Sequence, residues 1–268
     1  MNRAFLLPTA ALALLAAFAA AAEKMTPEEV VKRHLEAVSP DPGGFGPRVA
    51  RGSCRLSARQ VGSGSLAGRF VLSATPAASR LVLDFGTNEY GSEVFAFDGQ
   101  AVEIGFANRQ GGRRSAMATF VSRNEVIVRE GLFGGALNGS WALAALGERG
   151  AKVSYDGLKK LDDVELHRLK YRAKKGQGDL QVMLWLEPET FRHVATVYTH
   201  SRTQDMVTDP TQSSKQSDTY YRLEERFSEF KSIAGLALPS KWTIRYEASS
   251  NTTVEWKYEL AVEEVEKK

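Results

Sequence analysis

The sequence predicts a mainly β protein of antiparallel strands covered by a few lid helices, an α+β chain in the broad sense. Three observations predict it. From Val49 onward apolar residues recur at every second position, the period of a half-buried strand, in about eleven runs. Most of those runs are joined by short connections, which favour antiparallel neighbours. One stretch, Ser115 to Leu146, breaks the alternation with a dense apolar run that carries no charge from Gly131 to Gly147.

The chain opens on a secretory signal. Arg3 is the positive n-region, Ala4 to Ala19 is apolar, and Ala20-Ala21-Ala22 before Glu23 is a small-residue cleavage site. No cysteine stands directly after the apolar segment, so an exported, unlipidated protein starting near Glu23 is expected. About 246 of the 268 residues then remain, read as a single domain over 23–268 with no repeat or dividing linker. The formal charge of +3 is not gathered into one block of sequence, which excludes a nucleic-acid binder. Cys54 is the only cysteine, so no internal disulfide can form and a small buried side chain is expected.

The elements follow in order. Thr26-Pro27-Glu28-Glu29 supplies an N-cap, Pro at N1 and Glu at N3 of a first helix, with Val30, Val31, His34, Leu35 and Val38 on one side. His34 there is expected to be a packed histidine rather than a ligand. Cys54, Leu56 and Ala58 then alternate with Arg55, Ser57 and Arg59, and Gly62-Ser63-Gly64-Ser65 turns the chain into Leu66–Ala74. That turn lacks the Lys-Ser/Thr and the following helix of a phosphate loop, so it reads as a hairpin. Arg80–Phe85 alternates after Pro76, and Asp98-Gly99 joins Glu93–Phe97 to Ala101–Phe106. Strands resume at Asp163–Arg172, Leu180–Leu186 and Phe191–Thr199. A polar loop, Asp205–Asp218, precedes a strand from Thr219 to Phe230. Ala234–Pro239 reads as an insertion, and two half-buried strands close the chain around Trp242 and Tyr258.

Within the apolar stretch, Ser122-Arg123-Asn124-Glu125 has the form of a capping box, with Val121 and Val126 as its staple. A second short helix is expected from Ser140 to Leu146, ended by Gly147. Gly134, Gly135 and Gly139 leave the run too broken for a membrane span. Two readings are open: a lid over a hydrophobic cavity, or helices that plug the core and bind nothing. In the first, Met117, Phe120, Ile127, Leu132, Phe133, Leu137 and Trp141 face a sheet surface drawn from Phe70, Leu72, Phe95, Phe97, Met183, Trp185 and Trp242. Inward parity stays open, because a one-residue slip inverts it.

Catalytic patterns are missing. No Gly-x-Ser-x-Gly occurs, and His34, His167, His193 and His200 stand in no nucleophile motif. His193 and His200, seven apart in an extended run, are expected on opposite faces, which argues against a shared metal. Glu224 and Glu225 also point apart, and Arg222–Arg226 reads as a solvated face. No enzyme activity, cofactor or metal is expected.

The order of elements resembles the periplasmic outer-membrane lipoprotein carriers, the LolA-like proteins with their LolB and RseB relatives. Val94-Phe95-Ala96-Phe97-Asp98-Gly99-Gln100-Ala101-Val102 is similar to the family's apolar strand, Asp-Gly turn and next strand, and Gly235-Leu236-Ala237-Leu238-Pro239 to its late turn. The resemblance implies an unclosed antiparallel β half-barrel whose concave face, covered by short helices, holds acyl chains of a lipoprotein or lipid. It implies a periplasmic monomer that meets transfer partners at the inner and outer membranes; the alternative is a lipid- or peptide-binding sensor of the RseB type. The carriers place an Arg before a Pro to hold the lid by its backbone. Here Thr75 precedes Pro76, so an ungated lid is expected unless Arg69 or Arg80 replaces the latch.

Overall fold

Alternation carries through into β1 (Arg48–Ala58), β2 (Ser65–Ala74), β3 (Ser79–Asp84), β4 (Glu93–Phe97), β5 (Val102–Phe106), β6 (Lys152–Leu161), β7 (Val164–Arg172), β8 (Gln181–Leu186), β9 (His193–Arg202), β10 (Thr219–Ile233), β11 (Leu236–Ser249) and β12 (Thr253–Lys267). The structure, a computed structural model, describes residues 25–41, 44–58, 65–87, 91–106, 114–202, 219–249 and 253–268. The leader, the centre of the Gly62–Ser65 turn and the Asp205–Asp218 loop lie outside the described residues.

All twelve strands form one antiparallel sheet in the order β5-β4-β3-β2-β1-β12-β11-β10-β9-β8-β7-β6. Neighbours in the sheet are neighbours in sequence except at β1 and β12, which pair from Arg48↔Lys267 to Ala58↔Trp256. β5 and β6 are therefore the two free edges of an unclosed half-barrel. The helical insert between them has to cross from one edge to the other, and this connectivity lays it over the concave face.

The helix α1 (Pro27–Val38) forms as its cap signature requires. Thr26 Oγ1 accepts the Glu29 N–H at 3.2 Å, and Val30, Val31, His34 and Val38 are buried against β11 and β6. The count of about eleven strands omitted β6. Its alternation is interrupted by a bulge between Tyr155 and Leu158, and its lysines mask the apolar signal. Asp163, expected in the following strand, lies instead with Asp162 in a left-handed turn, at φ 67° and 49°. Ala234-Gly235 is likewise a tight turn, with φ of 52° and 78°. It pairs Ile233 with Leu236, so Leu236–Pro239 belongs to β11 rather than to an insertion. Positive φ at both central residues is what matches a two-residue turn to the twist of its strands.

The main core lies between the concave face and the insert. A smaller cluster of Leu161, Leu166, Trp185, Ala195 and Val197 sits apart from it. Cys54 is buried and free, and burial pushes its thiol up to about 12, which leaves it inert as a nucleophile.

Candidate functional site: the lid and its seat

The insert folds as α2 (Ala116–Arg123), α3 (Val126–Arg129), 3-10 turns at Gly135–Leu137 and Ala142–Ala145, and α4 (Leu146–Arg149). Its caps differ from those expected. Ser115, not Ser122, caps α2, its Oγ accepting the Ala118 N–H at 2.9 Å. The earlier start is what brings Met117, Phe120 and Val121 onto one buried side. Ser122 then falls in the last turn, where its hydroxyl donates to Thr119 O, and Glu125 makes no cap bond. Ser140 donates to Asn138 Oδ1 rather than capping, and the terminator is Gly150 at φ 62°, not Gly147.

The lid residues are seated. Met117, Ile127, Leu132, Leu137 and Trp141 are fully buried, and Phe120 and Phe133 nearly so. The Phe133 ring lies 5.4 Å from that of Phe95 and 5.6 Å from that of Trp242. Phe120 lies 5.7 Å from Tyr246. Phe70 packs edge-on to Trp242, Leu72 touches Gly134, and Phe97 is half-buried against the same core. Met183 and Trp185 are not part of this seat. Leu180, Val182, Leu184 and Leu186 take the inner side of that stretch, so alternation turns Met183 and Trp185 to the outer face. There the Arg168 guanidinium lies 5.7 Å over the Trp185 ring.

A lid of broken helix leaves backbone groups that need partners when buried, and sheet side chains supply them. Glu93 Oε1 on β4 accepts the Ser115 N–H at 3.2 Å. Glu225 Oε2 on β10 accepts the Gly134 N–H at 2.8 Å, while its Oε1 accepts from Tyr198 OH at 2.7 Å. Arg48 Nη1 on β1 donates to Ala136 O at 3.2 Å, with its guanidinium 5.4 Å over the Phe45 ring. Tyr171 OH on β7 donates to Glu130. Burial pushes the Glu225 carboxyl up to about 8, against the pull of its Gly134 and Tyr198 donors. Burial also brings Arg48 down to about 10.

Behind Glu225, two histidines complete the seat. His34 Nε2 accepts from Trp141 Nε1 at 2.9 Å, and its Nδ1 bonds Phe191 O. His34 is thus a packed histidine held by protein partners. Burial holds it down to about 4, and burial with the neighbouring His34 holds His193 well below the ordinary imidazole range. His193 stacks at 4.8 Å on Trp141 and at 4.9 Å on Phe227. The expectation that His193 and His200 face apart does not survive the bulge in the β8–β9 pairing between Trp185 and Leu186. One residue of the alternation is lost there, so inward His193 is followed by inward Thr196, Tyr198 and His200. Among the described residues, no group of three His, Cys, Asp or Glu has metal-ligand geometry.

The lid turn depends on Gly135, at φ 51°, where an added Cβ would stand 2.7 Å from His193 Nδ1. Gly135→Ala should therefore cost roughly 2–4 kcal/mol in thermal or urea unfolding. Gly105→Ala, with open space around its Cβ position, should stay within about 0.5 kcal/mol.

Thr75 does not reach the lid; it accepts the Ala78 N–H within the β2–β3 turn. Arg69 is exposed beside Glu263, and Arg80 is exposed. The expectation of a lid without an arginine tie is corrected by Arg48. Arg48 does not stand out in the sequence and Glu225 reads there as part of a solvated face, yet alternation marks both as inward. Glu225 shares parity with buried Leu223 and Phe227, and Arg48 with buried Ala50. Glu224, by contrast, turns outward to Arg222 and Arg226.

A groove of about 1030 Å³ runs on the far side of the lid's last turns, between α1 and residues 139–153. Val31, Leu35, Phe45, Trp141, Leu143 and Leu146 line it together with charged Glu28, Lys32, Glu36, Asp41 and Glu148.

This arrangement of an open antiparallel half-barrel with an edge-to-edge helical insert is shared with a solved structure. A LolA superfamily protein of Nitrosomonas europaea has the same fold at a TM-score of 0.51 and 13% identity, over 91% of this chain and 94% of that one. A domain of Vibrio parahaemolyticus assigned to outer membrane lipoprotein sorting gives a TM-score of 0.45 at 9% identity, over 90% and 91%. No family model matches the sequence, and no curated protein matches it.

Proposed function

We propose that the chain is a periplasmic, non-catalytic carrier that takes acyl chains of a lipoprotein or lipid into the space the lid now fills. It would load at the inner membrane and unload at the outer. The lid seat is the observation that supports this reading. An uncharged segment lies on an aromatic sheet face, tied by side chains rather than by strand pairing, so it can lift as a unit. An acyl chain then replaces the lid's own contacts with Phe95 and Trp242. Each buried CH₂ contributes about 0.8 kcal/mol, so about a dozen carbons contribute roughly 10 kcal/mol. The ties to be broken are worth roughly 1.5–3 kcal/mol at charged Arg48 and roughly 0.5–1.5 kcal/mol at Glu225, whose raised carboxyl is neutral near pH 7. The groove beside Trp141 offers the chain an entry along its apolar wall of Val31, Leu35, Leu143 and Leu146.

Titration with a fluorescent fatty acid tests this. Wild type should bind, Phe133→Glu should lose binding while keeping its β-rich circular dichroism spectrum, and Met183→Glu on the outer face should bind as wild type. Equal binding by the two variants would sink the proposed site. The leader is tested separately. The intact mass of the exported protein should correspond to a start near Glu23 with no acyl modification, and a mass carrying covalent acyl groups would refute it.

A further inference from the structure

We infer that the corner of the sheet formed by the start of β6, the end of β7 and the β7–β8 turn is a docking surface for a bilayer bearing anionic headgroups. The fold gathers cations there from separate stretches of sequence. Lys152 at the start of β6 is directly opposite Arg172 at the end of β7, and Lys170 is opposite Ser154. Lys174 and Lys175 follow in the turn, and all five are exposed. The corner is packed together by two more arginines. Arg129 Nη2 donates to Lys175 O at 2.8 Å and Arg149 Nη1 donates to Arg129 O at 2.9 Å. A Cβ placed on Gly150 would lie 3.6 Å from Lys174 Nζ, which brings the α4 end against the turn.

Elsewhere on the sheet several cations are matched, while Arg55, Lys159, Lys160 and Lys231 have no described ion pair but sit opposite Glu259, Leu166, Glu165 and Leu238 rather than another cation. Arg51 pairs with Glu266, Arg245 with Glu255, Lys257 with Glu259 and Lys241 with Glu229. At this corner no described ion pair involves Lys152, Lys170, Arg172, Lys174 or Lys175. Glu130, the buried carboxylate there, is already engaged by Tyr171 and Arg129; exposed Glu148 and Asp179 are the nearby counter-charges in sequence. Like charges directly across a strand pair are destabilising, so Lys152 facing Arg172 does not serve the sheet. Such a cluster is stabilised by an external anion.

The occupant follows from shape and neighbourhood. The charges sit on a rim of strand ends and a turn, and most are lysines, flexible point charges that suit fluid headgroups rather than one fixed geometry. Lys152 and Val153 also line the groove beside Trp141, so a bilayer held at this corner lies at the groove's mouth. The choice of a bilayer rests on the carrier reading, because a carrier has to meet membranes to load and unload.

Vesicle co-sedimentation of the purified protein tests it, with phosphatidylcholine alone and with about a third phosphatidylglycerol. Binding is expected to the anionic vesicles only. It should weaken at least tenfold in roughly 0.5 M salt, where screening acts within about 3–5 Å, and at least tenfold in Lys174→Glu/Lys175→Glu. The control Lys231→Glu/Lys257→Glu, on β10 and β12, should bind as wild type. No binding at low salt, equal binding to neutral vesicles, or equal loss in the control would overturn the inference; the first of these leaves an acidic protein as the partner. Solution binding of the fluorescent fatty acid separates the two claims. If it fails while vesicle binding behaves as stated, the carrier reading falls and the docking surface stands; the reverse result removes only the surface.

Discussion

Arg48→Leu should take up a fluorescent fatty acid from donor vesicles roughly 10- to 100-fold faster than wild type, because the tie that has to break on loading is gone. Arg48 is the side chain that ties β1 to the lid carbonyl of Ala136. A hydrogen bond from a charged donor is worth roughly 1.5–3 kcal/mol, and about 1.4 kcal/mol is a factor of ten in rate. Leucine fills much of the buried volume and escapes the cost of burying a charge, so the melting temperature should move little while the lid opens more often. Amide exchange should report the same event directly, with faster exchange confined to the lid around Gly134–Asn138. Thr75→Arg, Arg69→Leu and Arg80→Leu should leave uptake unchanged, because none of those positions reaches the lid. Uptake at the wild-type rate in Arg48→Leu together with fast uptake in Arg80→Leu would assign the latch elsewhere.

Stability should be greatest near pH 6.5 and fall on both sides. His34 and His193 are held below their ordinary value, so their stabilisation is complete above about 6.5 and is lost as pH falls through the folded value, about 4 for His34. Glu225 is raised to about 8, so its contribution is complete below the ordinary carboxylate value and is lost as pH rises to about 8. Between about 4.5 and 6.5 the two histidines outweigh the one carboxyl and stability climbs with pH. Between about 6.5 and 8 the carboxyl acts alone, and roughly 2 kcal/mol is lost at about 1.4 kcal/mol per unit. Urea unfolding across this range checks it. Glu225→Gln should flatten the alkaline limb and leave the acid limb; an alkaline limb of wild-type slope in that variant would assign the loss to another group.

The architecture was legible in the sequence because period-two alternation and turn chemistry are local. The Thr26 cap, the Asp98-Gly99 hairpin and the apolar insert all formed where the residues put them. β6 was missed for an equally physical reason: a bulge breaks the period and lysines occupy its solvent side. The insert's composition marked it as helical but did not give its caps, since burial of Met117, Phe120 and Val121 decided where α2 begins. Strand parity was the other gap. Met183 and Trp185 look as apolar as Leu184, and only the packing of the sheet assigns them to the outer face. Glu225 and Arg48 were hidden by the habit of reading charge as solvated. The basic corner was hidden because residues from 149 to 175 converge only after folding.

Native mass spectrometry of the protein after mild purification, followed by incubation with phospholipid or fatty acid, tests most directly whether an acyl chain replaces the lid. The expected spectrum carries added masses of a fatty acid or phospholipid that leave on collisional activation, present in wild type and lost in Phe133→Glu. A spectrum of bare protein in both preparations, before and after incubation with lipid, would contradict the account and leave the insert as a plug of the core.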